Sequence, residues 1–76
     1  MKEFDVELDA SGLNCPLPLL KAKKALAGLA GGQVLRVIAT DPGAPRDFEA
    51  FCRRTENDLL RTWEDAGSFF FDLKKS

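Results

Sequence analysis

Two prolines set two positions apart, Pro16 and Pro18, with a cysteine directly ahead of them, restrict the local geometry of this chain more than any other stretch in it. Each ring holds its own φ near about −65° and pushes the preceding residue out of the helical region, so Cys15 and Leu17 are biased toward extended backbone. From Leu19 onward the pattern is helical. Leu19, Ala22, Lys23, Leu26 and Leu29 or Ala30 recur at helix spacing, with Lys21 and Lys24 on other faces. Proline is tolerated in a first turn because its missing N–H would lack an intrahelical partner there, so the pair reads as a helix start. The expected helix runs to about Ala30 and stops at Gly31-Gly32. Cys15 thereby falls at or just before a helix N-terminus.

That placement has chemical consequences. The positive end of a helix favours an anion by roughly 0.3 to 1 kcal/mol. Between Ala10 and Thr40 every charged residue is basic, namely Lys21, Lys23, Lys24 and Arg36. Both effects favour thiolate over thiol. The prolines act the other way by deleting two amides, which leaves those of Leu17 and Leu19 to donate to the sulfur. A moderately activated, rigid and accessible thiolate is expected, better suited to a group carrier than to a hydrolase. The competing reading is a small buried residue, since free cysteine is among the most buried types. Asn14 and the flanking prolines weigh toward reactivity at Cys15, whereas Cys52, beside Phe51 on an apolar stripe, reads as core.

The 76 residues bound the rest as one domain, 1–76. A chain this short buries roughly 60 to 65% of its unfolded surface, which leaves no room for a second module or a deep substrate cavity. At 45% hydrophobic and 30% charged the composition is that of a soluble globular chain, and a net charge of −1 gives no general pull toward nucleic acid or membrane. No signal region or membrane span is legible, so the expected compartment is the cytoplasm. With 2 cysteines and no histidine, a four-ligand zinc site and a Cys–His nucleophile pair are both out of reach. Cys15 and Cys52 stand too far apart for a C-x-x-C motif, and a reducing compartment argues against a disulfide between them. No metal or organic cofactor is expected.

Residues 2 to 8 alternate, with Phe4, Val6 and Leu8 apolar against Glu3, Asp5 and Glu7, which predicts a strand with one buried face. Ala10 to Asn14 turns the chain, with Gly12 and Asn14 as residues that tolerate unusual φ. After the first helix, residues 33 to 40 are apolar on both sides, as in an interior strand. Strand, helix, strand with short connections implies a parallel pair. Asp41-Pro42-Gly43-Ala44-Pro45 opens a second helix whose inward stripe is Phe48, Phe51, Cys52 and Thr55. Residues 59 to 64 and 69 to 73, joined by Asp65-Ala66-Gly67-Ser68, form an antiparallel hairpin. The expected fold is α/β, a two-layer sandwich of order β-α-β-α-β-β, with a four-stranded mixed sheet and two helices on one face.

Other features carry two readings each. Lys21, Lys23 and Lys24 are either a solvated helix face or a surface that steers an acidic partner. Asp41, Arg46 and Asp47 organise the start of the second helix, or sit beside the cysteine loop, because functional loops gather at one edge of such a sheet. Leu17, between two prolines, is a candidate for partner contact. Phe70 is either packed under a helix or a sticky surface spot.

Leu8-Asp9-Ala10, Gly12-Leu13, Cys15-Pro16-Leu17-Pro18-Leu19, then Asp41-Pro42, Arg46-Asp47 and Phe51-Cys52 resemble the TusA family, also called SirA-like, of sulfur-carrier proteins. The likeness runs over nearly the whole chain. It implies a small two-layer α/β sandwich and a cysteine, here Cys15, that accepts sulfane sulfur as a persulfide and relays it to another protein. Gly12, Asn14, Pro16 and Pro18 would then support the site, and Leu17, Lys21, Lys24, Arg46 and Asp47 are the docking candidates. The implied partners are a sulfur-donor protein, such as a cysteine desulfurase, and an acceptor in a sulfur relay serving tRNA thiolation, sulfur oxidation or cofactor biosynthesis. Leu17 stands where the best-known members carry glutamate. No direct contact with nucleic acid or membrane is expected. The alternative is a non-catalytic interaction or regulatory module of the same fold.

Overall fold

The computed structural model describes residues 3–76. Its elements follow the order β1 (Val6–Ala10), α1 (Leu17–Ala27), β2 (Val34–Ala39), α2 (Ala44–Arg54), β3 (Asp58–Asp65) and β4 (Ser68–Lys74). One four-stranded sheet has the strand order β1-β2-β4-β3. β1 and β2 run parallel, with Val6 opposite Leu35 and Ala10 opposite Ala39. β4 is antiparallel to both β2 and β3. The β-α-β-α-β-β order and the mixed sheet are those expected.

Strand periodicity sorts the two faces. Along β2, Leu35, Val37 and Ala39 are buried while Val34, Arg36 and Ile38 are only half-covered. The buried set meets Phe71 and Leu73 of β4, Ala22 and Leu26 of α1, and Ala44 and Phe48 of α2 in one core. Both helices therefore pack on the same face. The rings of Phe48 and Phe71 stack at 4.5 Å, which ties α2 to the centre of the sheet.

The outer face is polar and aromatic where β2 had been expected to be apolar on both sides. Arg36 donates from Nε and Nη2 to the two Asp72 oxygens at 2.7 and 2.8 Å. Glu3 and Arg61 complete the network. Phe4 and Trp63 lie against the Arg36 guanidinium at 4.4 and 4.9 Å, and Trp63 stacks on Phe70 at 4.9 Å. Phe70 is thus half-buried on the sheet surface and not under a helix.

Several boundaries differ from expectation. The first strand starts at Val6, and the expected position 2 lies outside the described residues. Phe4 precedes the strand and turns to the outer face, away from the side taken by Leu8 and Ala10. α1 ends at Ala27, one turn early. The Gly28 and Leu29 amides bond back to Ala25 and Leu26 in a tightened last turn, and Leu29 drops toward the core. Thr55, expected on the inward stripe of α2, is an exposed C-cap instead, its hydroxyl donating to the Phe51 carbonyl at 3.0 Å.

Candidate functional site

Ala10 and Ala39 are paired at the carboxyl ends of the two parallel strands, so the loops that leave them run side by side. The Gly12 amide donates to the Thr40 hydroxyl at 2.9 Å across that gap. Gly12 has φ +81°, a left-handed geometry that any side chain would strain, and Leu13 bonds back to the Ala10 carbonyl. Asn14 is not among the positive-φ residues; its carbonyl accepts the Leu17 amide at 2.8 Å and so closes the turn into α1.

Pro16 is the N-cap of α1, joined to Cys15 by a cis bond, and Pro18 is buried beneath the first turn. Cys15 is exposed and sits just before the helix, as expected. Leu17 is 45% exposed beside it. Lys21 and Lys24 are exposed further along α1, one and nearly two turns beyond Leu17.

The second loop supplies the other side. Asp41 Oδ2 accepts the Gly43 amide at 2.9 Å, shaping the entry to α2, and Pro45 occupies its first turn. A Cβ built on Gly43 would stand 3.0 Å from Asp41 Oδ2 and 3.9 Å from the Cys15 Cβ, so the two loops are in close contact. Asp47, in the first turn of α2, extends Oδ2 to 2.7 Å from Cys15 Sγ, and the thiol donates to it.

This arrangement overturns the expected electrostatics. The Cys15 thiol is pushed above its ordinary value, first by the hydrogen bond to Asp47, then by partial desolvation and by the charges of Asp47 and Asp41. The side chains that act on it are carboxylates from the second loop and from α2. Arg36, counted among the basic neighbours in sequence, points to the opposite face and is bound to Asp72. The Leu17 amide, expected to donate to the sulfur, is taken by Asn14. The geometry at the sulfur is therefore that of a thiol donating to a carboxylate, and it opposes ionisation. Cys52 is half-buried, and burial, with a smaller effect of Asp58, pushes its thiol up as well.

Beside Asp47 a groove of about 370 Å³ opens between α1 and α2, lined by Leu19, Lys23, Arg46, Asp47, Phe51 and Arg54 among others. Lys23 lies over the Phe51 ring at 5.7 Å. Of the docking candidates read from sequence, Arg46 and Asp47 line this groove, and Leu17 is exposed next to the sulfur. Leu19, Phe51 and Arg54 were not foreseen; the available signal was that position 19 of the first helix and positions 51 and 54 of the second border the same seam.

Comparison with known proteins places the chain. The profile of the family described as Sulfurtransferase TusA matches residues 6–75. The chain is 59% identical over 76 residues to the sulfur carrier protein TusA of Allochromatium vinosum, covering 100% of both sequences. It is 45% identical over 71 residues to the sulfur carrier protein TusA of Pseudomonas putida, covering 93% of this chain and 89% of that one. Among solved structures, a SirA-like protein from Desulfitobacterium hafniense superposes with a TM-score of 0.82 at 25% identity, over 92% of this chain and 96% of the other.

Proposed function

Since the chain belongs to the TusA family, we propose that this sulfur carrier holds its cargo as a persulfide on Cys15, taken from one protein and passed to another. The observation that carries the reading is an exposed sulfur at the edge where the loops after two parallel strands meet, just ahead of a helix that projects no acidic residue in its first turn. A protein-borne persulfide can reach such an atom without entering a cavity.

The exchange balances as Cys15–S–H plus R–S–S–H giving Cys15–S–S–H plus R–S–H. A bond forms between Sγ and the outer sulfur of the donor, the donor S–S bond breaks with its electron pair on the inner sulfur, and the thiol proton ends there. Discharge to an acceptor thiol is the same step reversed. No net oxidation occurs. A reducing compartment such as the cytoplasm suits a carrier whose empty form is a free thiol.

Gly12, Asn14, Pro16 and Pro18 shape the loop that presents the sulfur. The groove beside Asp47 is read as the docking surface. Its cations Lys23, Arg46 and Arg54 and its apolar floor at Leu19 and Phe51 fit an acidic, partly apolar segment of a donor or acceptor protein, with Leu17, Lys21 and Lys24 extending the contact along α1. A cysteine desulfurase or another persulfide-bearing protein would be the donor.

The test is an intact mass after incubation with a sulfane-sulfur donor. A gain of one sulfur is expected, retained in Cys52→Ser and lost in Cys15→Ser. No gain, or a gain that survives loss of Cys15, argues against the reading.

A further inference from the structure

The N-terminus of α2 has no side-chain cap, yet Asp47, the acidic residue of its first turn, reaches the sulfur of Cys15 with one carboxylate oxygen. From α2 comes Asp47 at 2.7 Å, and from the β2–α2 loop comes Asp41, of the same sign. Asp9, at the end of β1, is turned to the Ser11 amide at 3.0 Å. Among the described residues, neither Arg46 of α2 nor Lys21, Lys23 or Lys24 of α1 is ion-paired with Asp47 or Asp41. Two carboxylates, neither neutralised by an ion pair among the described residues, thus bear on its charge state.

We propose that Asp47 restrains the carrier: it keeps the empty Cys15 as a thiol and disfavours an ionised persulfide on the same atom, so that free small-molecule donors load it slowly and bound sulfur is readily passed on. The inference rests on the carrier reading above. The empty form satisfies the contact, since a thiol has a proton to donate and the carboxylate has lone pairs to accept it. A thiolate would leave the same oxygen facing sulfur with no proton between them, and like charges at that separation repel. The loaded form meets the same difficulty. A persulfide ionises more readily than a thiol, so near neutrality its outer sulfur carries the charge beside Asp47 and Asp41. In the exchange written above, the carboxylates therefore favour the side on which Cys15 is empty. Neutralising Asp47, by substitution or by a cation brought against it, removes both effects.

The experiment uses the whole chain carrying Cys52→Ser, with Asp47 intact, Asp47→Asn or Asp47→Ala. Alkylation of Cys15 by iodoacetamide is followed by intact mass from about pH 6 to 10, a range that spans the titration of an ordinary thiol. Both variants are expected to shift the rate–pH curve to lower pH and to react roughly threefold to tenfold faster near pH 7. Equilibrated with glutathione persulfide, both are expected to hold a larger loaded fraction by a similar factor. Folded variants, with unchanged circular dichroism, whose alkylation curves overlay that of the intact chain overturn the proposal. Equal loading of all three chains overturns its persulfide half. If the curves shift but no chain gains sulfur, the restraint on the thiol stands and the carrier reading fails, so the two are separable.

Discussion

Asp72 keeps a carboxylate where water scarcely reaches, with 3% of its side chain exposed. Burial alone would raise its pKa, but the bonds and charges of Arg36 and Arg61 outweigh that and hold it below the ordinary carboxylate value. Arg36 is raised by the same pairing. The network gives the outer face of the sheet a fixed centre, since Arg36 also carries Phe4 and Trp63 against its guanidinium. Removing one partner of a buried pair leaves the other charged and unmatched, at a cost of about 3 to 5 kcal/mol. The total stability of a chain this size is about 4 to 11 kcal/mol. Asp72→Asn is therefore expected to lower stability at pH 7 by about 3 kcal/mol, the low end, because Glu3 remains within reach of Arg36. A folded pKa below the unfolded one means that the stabilisation is present at neutral pH and lost as pH falls through the folded value. Urea titrations at neutral pH and near pH 3 should show the gap between the two proteins closing in acid; a gap of constant size would deny the pair its role.

The hairpin β3–β4 shows how one inserted residue decides a face. Leu59 pairs with Leu73 and Arg61 with Asp72, so Leu60 is the extra residue of a bulge. Without it, alternation would put Leu59, Arg61 and Trp63 on one side. With it, Leu59 packs against the core while Arg61 and Trp63 join Asp72 and Phe70 outside. The elements themselves were legible because their periods are local, but a bulge has no period, and so the outer network was not foreseen. The end of α1 escaped for a related reason: Gly31-Gly32 is the stronger stop signal, yet burial of Leu29 and the reversal at Gly32, φ +91°, begin from Gly28. At the tip of the hairpin the Asp65 to Ser68 turn is where it was expected, with Ala66 at φ +50° and Gly67 at φ +83°. That is the two-residue turn that prefers Asn-Gly, and alanine is strained at its first position. Ala66→Asn should raise stability by about 0.5 to 1 kcal/mol, read as a higher urea midpoint at unchanged slope.

At the scale of the molecule, a slab with extents of 29 × 28 × 18 Å divides its labour between faces and one edge. The fold was readable from short-range patterns, and Cys15 from its prolines, but the environment of the sulfur was not. A count of neighbours along the chain finds only cations there, while the group that governs the thiol comes from 32 residues away, brought in by the parallel register of β1 and β2. The same register sets the sulfur beside the α1–α2 groove, and this separates two charge patterns: carboxylates at the sulfur, cations along the groove at Lys23, Arg46 and Arg54. An acidic partner segment would be steered by the second and leave the first undisturbed until contact. Steering of that kind acts on a protein partner, with many charges spread over its surface, far more than on a small donor that carries one or two. Combined Arg46→Glu and Arg54→Glu substitution should slow sulfur transfer from a persulfide-bearing cysteine desulfurase by about tenfold or more at low ionic strength, with the deficit shrinking as salt rises. The ratio of that rate to the rate from glutathione persulfide, measured by intact mass across a salt series, is the decisive quantity. If both rates fall together and independently of salt, the groove supports the fold of the site and does not receive the partner.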